Sequence, residues 1–205
     1  MRFLRKPPTV PRRLGVLSSA FHPPTRAHLA IAHAALDTLE TEEVLFVLPE
    51  KFPHKTYDAV SLDERLDLVL AATSHEPRFS VAVAEAGLFL EIARETRPHY
   101  GSHVRLRFIC GRDAAERIVE WDYGADLPPF HRQLEEFDLL VAPRNGHYTP
   151  PAQYSNAIAP LCISQEWAEV ASSRVRERIL VGGDWEQWIP PSIAGRVRQI
   201  YGRKR

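Results

Sequence analysis

The feature that most constrains the fold is a regular alternation of short apolar runs with helical patterns. Strand-like runs lie at residues 14–17, 42–50, 78–83, 104–111 and 137–144, with a sixth at 160–164. Helical patterns follow the first at Thr25 and the later ones at 61–72, 87–97, Asp113, 130–137 and Ser172. Strands that alternate with helices indicate βαβ units and a parallel sheet. We therefore predict a single α/β, Rossmann-like domain with helices on both faces of a parallel sheet.

This architecture also predicts where a ligand binds. In open α/β sheets, ligands occupy a crevice outside the carboxyl ends of the strands. The loops that meet there are those after Leu17, Leu48, Cys110 and Val141.

The first helix has an unusual charge at its beginning. A helix N-terminus is effectively positive and usually carries acidic side chains, but this first turn has Arg26 and His28. Both side chains lean toward the exposed N–H groups. A phosphate bound between them would make the arrangement favourable. The alternative is a solvated Arg26 and a neutral, packed His28.

A second helix beginning repeats this arrangement near the end of the sequence. Ser172 or Ser173 can cap a helix that ends at the Gly-Gly pair 182–183. Its first turn carries Arg174 and Arg176 and no acidic residue. Two such helix beginnings predict two phosphate-binding sites, and therefore a di- or triphosphate ligand.

The charge balance limits the class of partner. The 205 residues include 26 basic and 26 acidic side chains, a formal net charge of +0. A general nucleic-acid or membrane-surface binder would be basic overall, so we expect neither partner. We interpret residues 1–12 and 203–205 as solvated basic tails around one domain at 13–202, with contact to a polyanion as the alternative. The basic residues at the two ends are Arg2, Arg5, Lys6, Arg12, Arg13, Arg203, Lys204 and Arg205.

The sequence favours a cytoplasmic location. Prolines interrupt the N-terminal segment, which therefore lacks the apolar region of a secretory signal, and no apolar run reaches the roughly 18 residues that span a bilayer. Cys110 and Cys162 each lie in an apolar, strand-like run. This placement favours buried free thiols in a reducing compartment over a disulfide.

The two helix beginnings together resemble the nucleotidyltransferase superfamily of α/β enzymes. Its Phe-x-Pro-x-(His/Thr)-x-Gly-His signature corresponds to residues 21–28, and its Ser-Ser-Thr-x-(Ile/Val)-Arg signature to residues 172–176. Within the superfamily, the sequence is similar to nicotinate or nicotinamide mononucleotide adenylyltransferases. Further short motifs occur in the family's order, at Pro53-His54-Lys55, Arg65-Leu66, Gly111-Arg112-Asp113, Trp121 and Pro143-Arg144.

The resemblance implies attack by a pyridine mononucleotide phosphate on the α-phosphorus of ATP, which releases pyrophosphate and forms a dinucleotide. Such a transfer needs alignment and charge neutralisation, without a covalent intermediate. The implied catalytic residues are His28, which donates to the α-phosphate, and Arg176, which stabilises the departing pyrophosphate. The implied ATP-binding residues are Thr25, His28, Gly111, Asp113, Ser172, Ser173 and Arg176. Mg²⁺ would be held mainly by ATP phosphates, so we expect no dedicated metal site.

The resemblance also implies an acceptor site. Its residues are Ser19, Ala20, Phe21, Lys55, Trp121 and Arg144. Lys55 would hold the acceptor phosphate and Trp121 would stack on the pyridine ring. Three alternatives stay open, because Asp113 also fits a plain helix cap, Lys55 fits a solvated loop, and Trp121 fits a core position.

The sequence departs from the family pattern in ways that concern the acceptor. His22 stands where Asn or Asp is usual, Ser19 and Ala27 replace glycines, and Arg174 replaces a threonine. Residues 86–91 lack the hydroxyl cluster whose backbone, in the family, reads the pyridine carboxylate or amide. The acceptor could therefore be another phosphorylated molecule such as phosphopantetheine, and a nucleotide-binding paralogue without turnover is a third hypothesis. The oligomeric state also stays open.

Overall fold

The computed structural model describes residues 1–38, 41–51, 60–125, 127–143 and 146–203. Within these ranges one sheet contains strands β1 (Arg2–Arg5), β2 (Arg13–Ser18), β3 (Glu43–Pro49), β4 (Phe79–Ala84), β5 (Arg105–Gly111), β6 (Phe137–Ala142) and β7 (Ile158–Pro160). Their order across the sheet is β1-β4-β3-β2-β5-β6-β7. Strand β1 runs antiparallel to β4, and the other neighbours are parallel. The predicted α/β fold is confirmed.

The helices cover both faces of this sheet. They are α1 (Arg26–Thr38), α2 (Leu62–Ala72), α3 (Phe89–Tyr100), α4 (Arg112–Glu120), α5 (Phe130–Gln133), α6 (Gln165–Ala168), α7 (Ser172–Leu180) and α8 (Ala194–Tyr201). Residues of α3 and α4 belong to one buried apolar cluster, and residues of α1 and α2 belong to another. Among the helices described, none is long and apolar enough to cross a membrane.

Strand β3 shows why the sequence forms a sheet buried on both sides. All seven of its residues are buried. Val44 and Phe46 pack in the cluster under α1 and α2, whereas Leu45 and Val47 pack in the cluster under α3 and α4. Each such side chain contributes about 1.5–3 kcal/mol when it is removed from water. A continuous apolar run is what a central parallel strand requires.

A third apolar cluster attaches the C-terminal helices to α2. Helix α2 begins with a capping box between Ser61 and Glu64, which satisfies two N–H groups that the helix leaves open. Leu68 of α2 then packs with Val175 of α7 and Val197 of α8. This packing brings the start of α7 to the same end of the sheet as the start of α1.

The predicted solvated tail at residues 1–12 is wrong for its first half. Arg2 to Arg5 form the edge strand β1, which pairs with β4. The Arg5 guanidinium donates to the carbonyls of Phe79 and Thr73 at 3.1 and 3.0 Å, and Lys6 Nζ donates to the carbonyl of His99 at 2.7 Å. These basic side chains donate hydrogen bonds to carbonyl groups near the ends of helices and strands, a function that their charge alone does not reveal.

The predicted sixth strand and the burial of Cys162 also need correction. Strand β7 ends at Pro160, where the prediction begins. Beyond it, Leu161 still donates to the Val141 carbonyl at 2.8 Å, but Cys162 is an exposed free thiol. Proline is tolerated here because β7 is an edge strand. Cys110, in contrast, is buried as predicted, and burial raises the pKa of its thiol to about 12.

Candidate active site

The crevice lies where the strand order reverses. Strand β2 has β3 on one side and β5 on the other. The loops that follow β2 and β5 therefore diverge and leave space between them. A cavity of about 670 Å³ opens there, lined by the ends of both strands, residues 87–89 and the start of α7. Its volume lies within the range of small-molecule sites.

The turn between β2 and α1 forms the floor of this cavity. Phe21 has φ 45°, a conformation that costs about 1–3 kcal/mol for a residue with a side chain. Its ring is fully buried and packs against the rings of His28 and Phe46, at centroid distances of 5.0 and 5.6 Å. Three side chains also donate hydrogen bonds to backbone carbonyls of this turn, and these bonds stabilise its strained conformation. They are Arg65 on Ala20 O at 3.0 Å, Arg176 on His22 O at 2.6 Å and Ser172 on Pro23 O at 2.7 Å.

His28 presents a defined hydrogen-bond donor to the cavity. The backbone N–H of Thr25 donates to His28 Nδ1 at 3.0 Å, and Thr25 Oγ1 lies 2.8 Å from the same nitrogen. Because a backbone N–H can only donate, Nδ1 must be the acceptor, and Nε2 of the imidazole carries the hydrogen. His28 lines the cavity. Thr25 is fully buried and lies behind His28, so its geometry suits positioning the imidazole better than the implied direct contact with phosphate.

The two helix beginnings identified in the sequence meet at this turn. Ser172 and Arg176 of α7 both donate to carbonyls of the turn that leads into α1. His28, Ser173 and Arg176 line the same cavity. The two helix starts that were predicted to bind phosphate therefore lie side by side in the fold.

The other two arginines of these first turns face elsewhere. Arg26 donates through Nε to the Ile189 carbonyl at 3.3 Å and lies over the Trp167 ring at 5.8 Å. Arg174 donates to the Glu169 carbonyl at 3.2 Å. Neither lines the cavity, so the expectation that Arg26 points at the open N–H groups is wrong.

The start of α7 differs from the predicted cap. The capping position is Ala171, which offers no side-chain acceptor, and neither serine caps the helix. Counting back from Val175 and Arg176 places Ala171 at the first serine of the family signature and Ser173 at its threonine. The assignment of Arg174 to the threonine position is therefore wrong. Ser172 uses its hydroxyl hydrogen on the Pro23 carbonyl, which leaves the backbone N–H groups of this turn as candidate donors to an anion.

The opposite wall comes from β5 and α4. Gly111, Arg117 and Trp121 line the cavity. Trp121 is 46% exposed, which excludes the core alternative for this side chain. Asp113 is exposed and outside the cavity lining, and the helix cap is Gly111. The cap alternative for Asp113 is therefore wrong, and its role toward ribose stays a prediction.

Two predicted acceptor residues, Lys55 and Arg144, lie outside the described residues. The others, Ser19, Ala20 and Phe21, line the cavity floor. Ser19 Oγ lies 3.5 Å from His28 Nε2.

The cavity is basic although the chain is neutral. Its charged or ionisable nitrogen-bearing side chains are those of Arg117, Arg176, His22 and His28, and no carboxylate is among the described residues that line it. A low-dielectric cleft lined by one sign of charge concentrates ligands of the opposite sign. The site is therefore suited to an anionic ligand with more than one charged group.

Three contributors were not predicted from the sequence as site residues. Arg117 lies on α4, four residues before Trp121, which directly follows the helix, and this short spacing was the available signal. His22 was noted only as a departure from the family pattern. Tyr201, whose hydroxyl lies 2.9 Å from His22 Nδ1, is 179 residues away in sequence, and no local pattern could have found it.

The fold and the site define a class of protein. A parallel sheet with its crevice at the strand-order reversal, two helix beginnings aimed at one cavity, and a donor imidazole between them are the parts of an α/β nucleotidyltransferase. A family model described as cytidylyltransferase-like matches residues 17–178. The chain belongs to the cytidylyltransferase-like family, and the resemblance seen in the two motifs is confirmed.

Comparisons with individual proteins show which relatives the chain resembles. The chain is 28% identical over 186 residues to a protein of Thermus thermophilus named "probable nicotinate-nucleotide adenylyltransferase", covering 88% of this chain and 94% of the relative. A protein of Gloeobacter violaceus with the same name is 27% identical over 204 residues, covering 91% and 94%. The fold is similar to that of Plasmodium falciparum nicotinic acid mononucleotide adenylyltransferase complexed with NaAD, with a TM-score of 0.71, 13% identity and coverage of 94% and 98%.

Proposed function

We propose that this protein transfers AMP from ATP to nicotinate mononucleotide, giving the dinucleotide and pyrophosphate. The observation that carries the proposal is the meeting of two helix beginnings, His28 and Arg176 at one basic cavity. The names of the relatives support the acceptor. The reaction joins two anions, and a cavity lined by cations and N–H groups offsets their repulsion.

In this reaction an oxygen of the acceptor phosphate attacks the α-phosphorus of ATP. A new P–O bond forms as the bond from the α-phosphorus to the bridging oxygen breaks, and pyrophosphate departs with that oxygen. His28 Nε2–H donates to a non-bridging oxygen of the α-phosphate, where charge accumulates. Arg176 and the first N–H groups of α7 bind the β- and γ-phosphates. Holding both reactants in line can contribute about 7–11 kcal/mol to the barrier reduction.

Mg²⁺ enters this proposal as part of the nucleotide. It prefers oxygen ligands and is commonly held by substrate phosphates. Among the described residues there is no group of three or more metal-binding side chains, and those that line the cavity offer hydroxyl and carbonyl oxygens only. The ion would therefore sit mainly on phosphate oxygens, where it neutralises charge on the departing group.

The cavity wall formed by β5, α4 and Trp121, called here the acceptor wall, supports nicotinate mononucleotide over nicotinamide mononucleotide as the acceptor. Trp121 presents an exposed aromatic surface to the cavity, and Arg117 lies one helical turn before it. A planar ring with a carboxylate can stack on the indole while its charge faces the guanidinium. The neutral amide of the nicotinamide form would leave Arg117 without a charged partner. Residues 87–89, which belong to the segment that lacks the family's hydroxyl cluster, line the same cavity.

The defining experiment is an acceptor panel. The protein is incubated with ATP, Mg²⁺ and, separately, nicotinate mononucleotide, nicotinamide mononucleotide and phosphopantetheine, and pyrophosphate release is followed. We expect the fastest release with nicotinate mononucleotide, together with formation of its dinucleotide. Release only with phosphopantetheine would replace the proposed acceptor. Nucleotide binding without release from any acceptor would contradict enzymatic function.

Arg117→Gln tests the acceptor wall. The variant should lower kcat/KM for nicotinate mononucleotide by about 10-fold or more, since hydrogen bonds to charged groups contribute about 1.5–3 kcal/mol. It should leave kcat/KM for nicotinamide mononucleotide nearly unchanged. Arg132→Gln is the matched control, because Arg132 is exposed, pairs with Glu135 and lies outside the cavity lining. Equal losses with both acceptors would remove Arg117 from acid recognition.

We further propose a cytoplasmic location, supported by the buried free thiol of Cys110 and by the use of ATP.

A further inference from the structure

His22 is a polar side chain on the cavity wall that the proposed mechanism does not use. It is only 7% exposed and lines the cavity. Its carbonyl accepts from Arg176 Nη1 at 2.6 Å, which places the guanidinium beside it. Its ring lies 5.1 Å from the ring of Tyr201, and Tyr201 OH lies 2.9 Å from Nδ1. The last residue of α8 therefore reaches the phosphate-binding turn through this imidazole.

The direction of the hydrogen bond between these two side chains follows from burial. Burial raises the pKa of Tyr201 above its ordinary value, so its hydroxyl keeps its proton. A buried hydroxyl hydrogen requires an acceptor, and among the described residues His22 Nδ1 is the acceptor within reach. Tyr201 therefore donates and Nδ1 accepts, which leaves the hydrogen of the imidazole on Nε2. His28 is held in the same tautomer by Thr25.

We propose that His22 is a second imidazole N–H donor to the phosphates of the bound nucleotide, and that Tyr201 is a positioning residue that fixes its tautomer. The identity of the ligand rests on the proposed function. His22, His28 and Arg176 then form one set of donors around the cavity floor. Their shared anchor is the turn at residues 20–23, and α8 contributes to the site although Tyr201 does not line it.

Nitrogen chemical shifts of the histidine side chains test the tautomer directly. In the ¹⁵N-labelled wild-type protein, His22 should have its hydrogen on Nε2 and an unprotonated Nδ1. Tyr201→Phe removes only the hydroxyl, and His22 should then populate both tautomers. Tyr154→Phe is the matched control, because Tyr154 packs on Phe130 away from the cavity, and it should leave the His22 signals unchanged. Hydrogen on Nδ1 in the wild type would overturn the proposal.

Calorimetric titration with ATP tests the contact without turnover, so it remains informative if every acceptor in the panel fails. His22→Ala should weaken ATP binding by about 10- to 100-fold, the effect of losing a hydrogen bond to a charged group. His22→Asn, which keeps an N–H donor, should recover most of this loss. Tyr201→Phe should weaken binding by about 2- to 10-fold.

The double variant separates positioning from structural support. If Tyr201 acts through the imidazole, Tyr201→Phe should cause no further loss of ATP affinity in the His22→Ala background. The same loss in both backgrounds would show that Tyr201 only supports α8, and would overturn its assigned role. Unchanged ATP affinity in His22→Ala would overturn the donor role. Thermal unfolding of each variant checks that the fold is retained, and the more conservative His22→Asn gives the affinity comparison if the alanine variant fails to fold.

Discussion

Replacement of His28 by alanine tests the central part of the proposed mechanism. The structure assigns His28 Nε2 as the donor, because Nδ1 accepts the backbone N–H of Thr25 at 3.0 Å. His28→Ala removes the donor, whereas Thr25→Val removes only the hydroxyl at 2.8 Å from Nδ1 and keeps the backbone N–H. The two variants should therefore differ strongly in turnover.

The expected magnitudes follow from these contacts. Loss of one donor aimed at developing charge lowers kcat by about 10²–10³, and we expect this range for His28→Ala. Thr25→Val loses one neutral hydrogen bond, worth about 0.5–1.5 kcal/mol, so kcat should fall by only about 2- to 12-fold. Thr25→Ser keeps the hydroxyl and should retain nearly wild-type turnover.

The assay is pyrophosphate release at saturating ATP and acceptor, with calorimetry for the dissociation constant of ATP. ATP binding should persist in His28→Ala, because the donor acts mainly on charge that develops during transfer. Unchanged turnover of His28→Ala would remove the residue from the mechanism. A loss in Thr25→Val as large as that in His28→Ala would refute the positioning role and favour direct contact of Thr25 with phosphate.

Three further variants probe the nucleotide site and the fold. Arg176→Ala should weaken ATP binding by about 10- to 100-fold but AMP binding by much less, because the guanidinium faces the pyrophosphate portion. Glu43→Gln should raise the Tm more at pH 8 than at pH 4.5. Burial raises the pKa of Glu43, which is 2% exposed. The contribution of the neutral carboxyl to folding stability is therefore fully present below the unfolded-state pKa, and it is lost as the pH rises through the folded-state pKa. Gly15→Ala should lower the Tm by about 2–12 °C, because the added Cβ would lie 3.1 Å from each of three buried side chains.

Each of these variants has a matched comparison. Equal losses of AMP and ATP affinity in Arg176→Ala would contradict its assignment to the pyrophosphate portion. The exposed neighbour Glu42→Gln controls for the loss of a charge near β3, and a pH-independent change in Glu43→Gln would contradict the assigned burial effect. Gly195→Ala faces open space on a helix and should raise the Tm slightly, whereas an unchanged Tm in Gly15→Ala would mean that the central sheet can relax around a methyl group.

Local patterns predicted most of the fold correctly. Six of the eight described helices and five of the six predicted strands follow from apolar periodicity and from caps such as Ser61 with Glu64, which act within a few residues. Helices α6 and α8 were not predicted. The prediction was wrong at the two edge strands of the sheet, β1 and β7. Strand β1 was interpreted as a basic tail, because Arg2 and Arg5 carry charge and only the pairing with β4 explains their position.

The features of the candidate site also divide into those that local sequence predicted and those that only tertiary contacts decide. Two helix beginnings with basic first turns were visible in the sequence, because charge near a helix N-terminus is a local property. Their use for phosphate stays a prediction. Which cations line the cavity was decided by tertiary contacts. Arg176 binds the turn at His22, while Arg26 binds the Ile189 carbonyl.

The sequence by itself determined the alternation of strands with helices and two helix starts with basic first turns, since both depend on side chains close together along the chain. Only the tertiary structure decided that Arg176 and Tyr201 reach His22. The contacts of His22 with Arg176 and Tyr201 join residues 154 and 179 positions apart. They exist because the third apolar cluster packs α7 and α8 against α2, and the burial of that cluster fixes which polar groups can meet at the cavity.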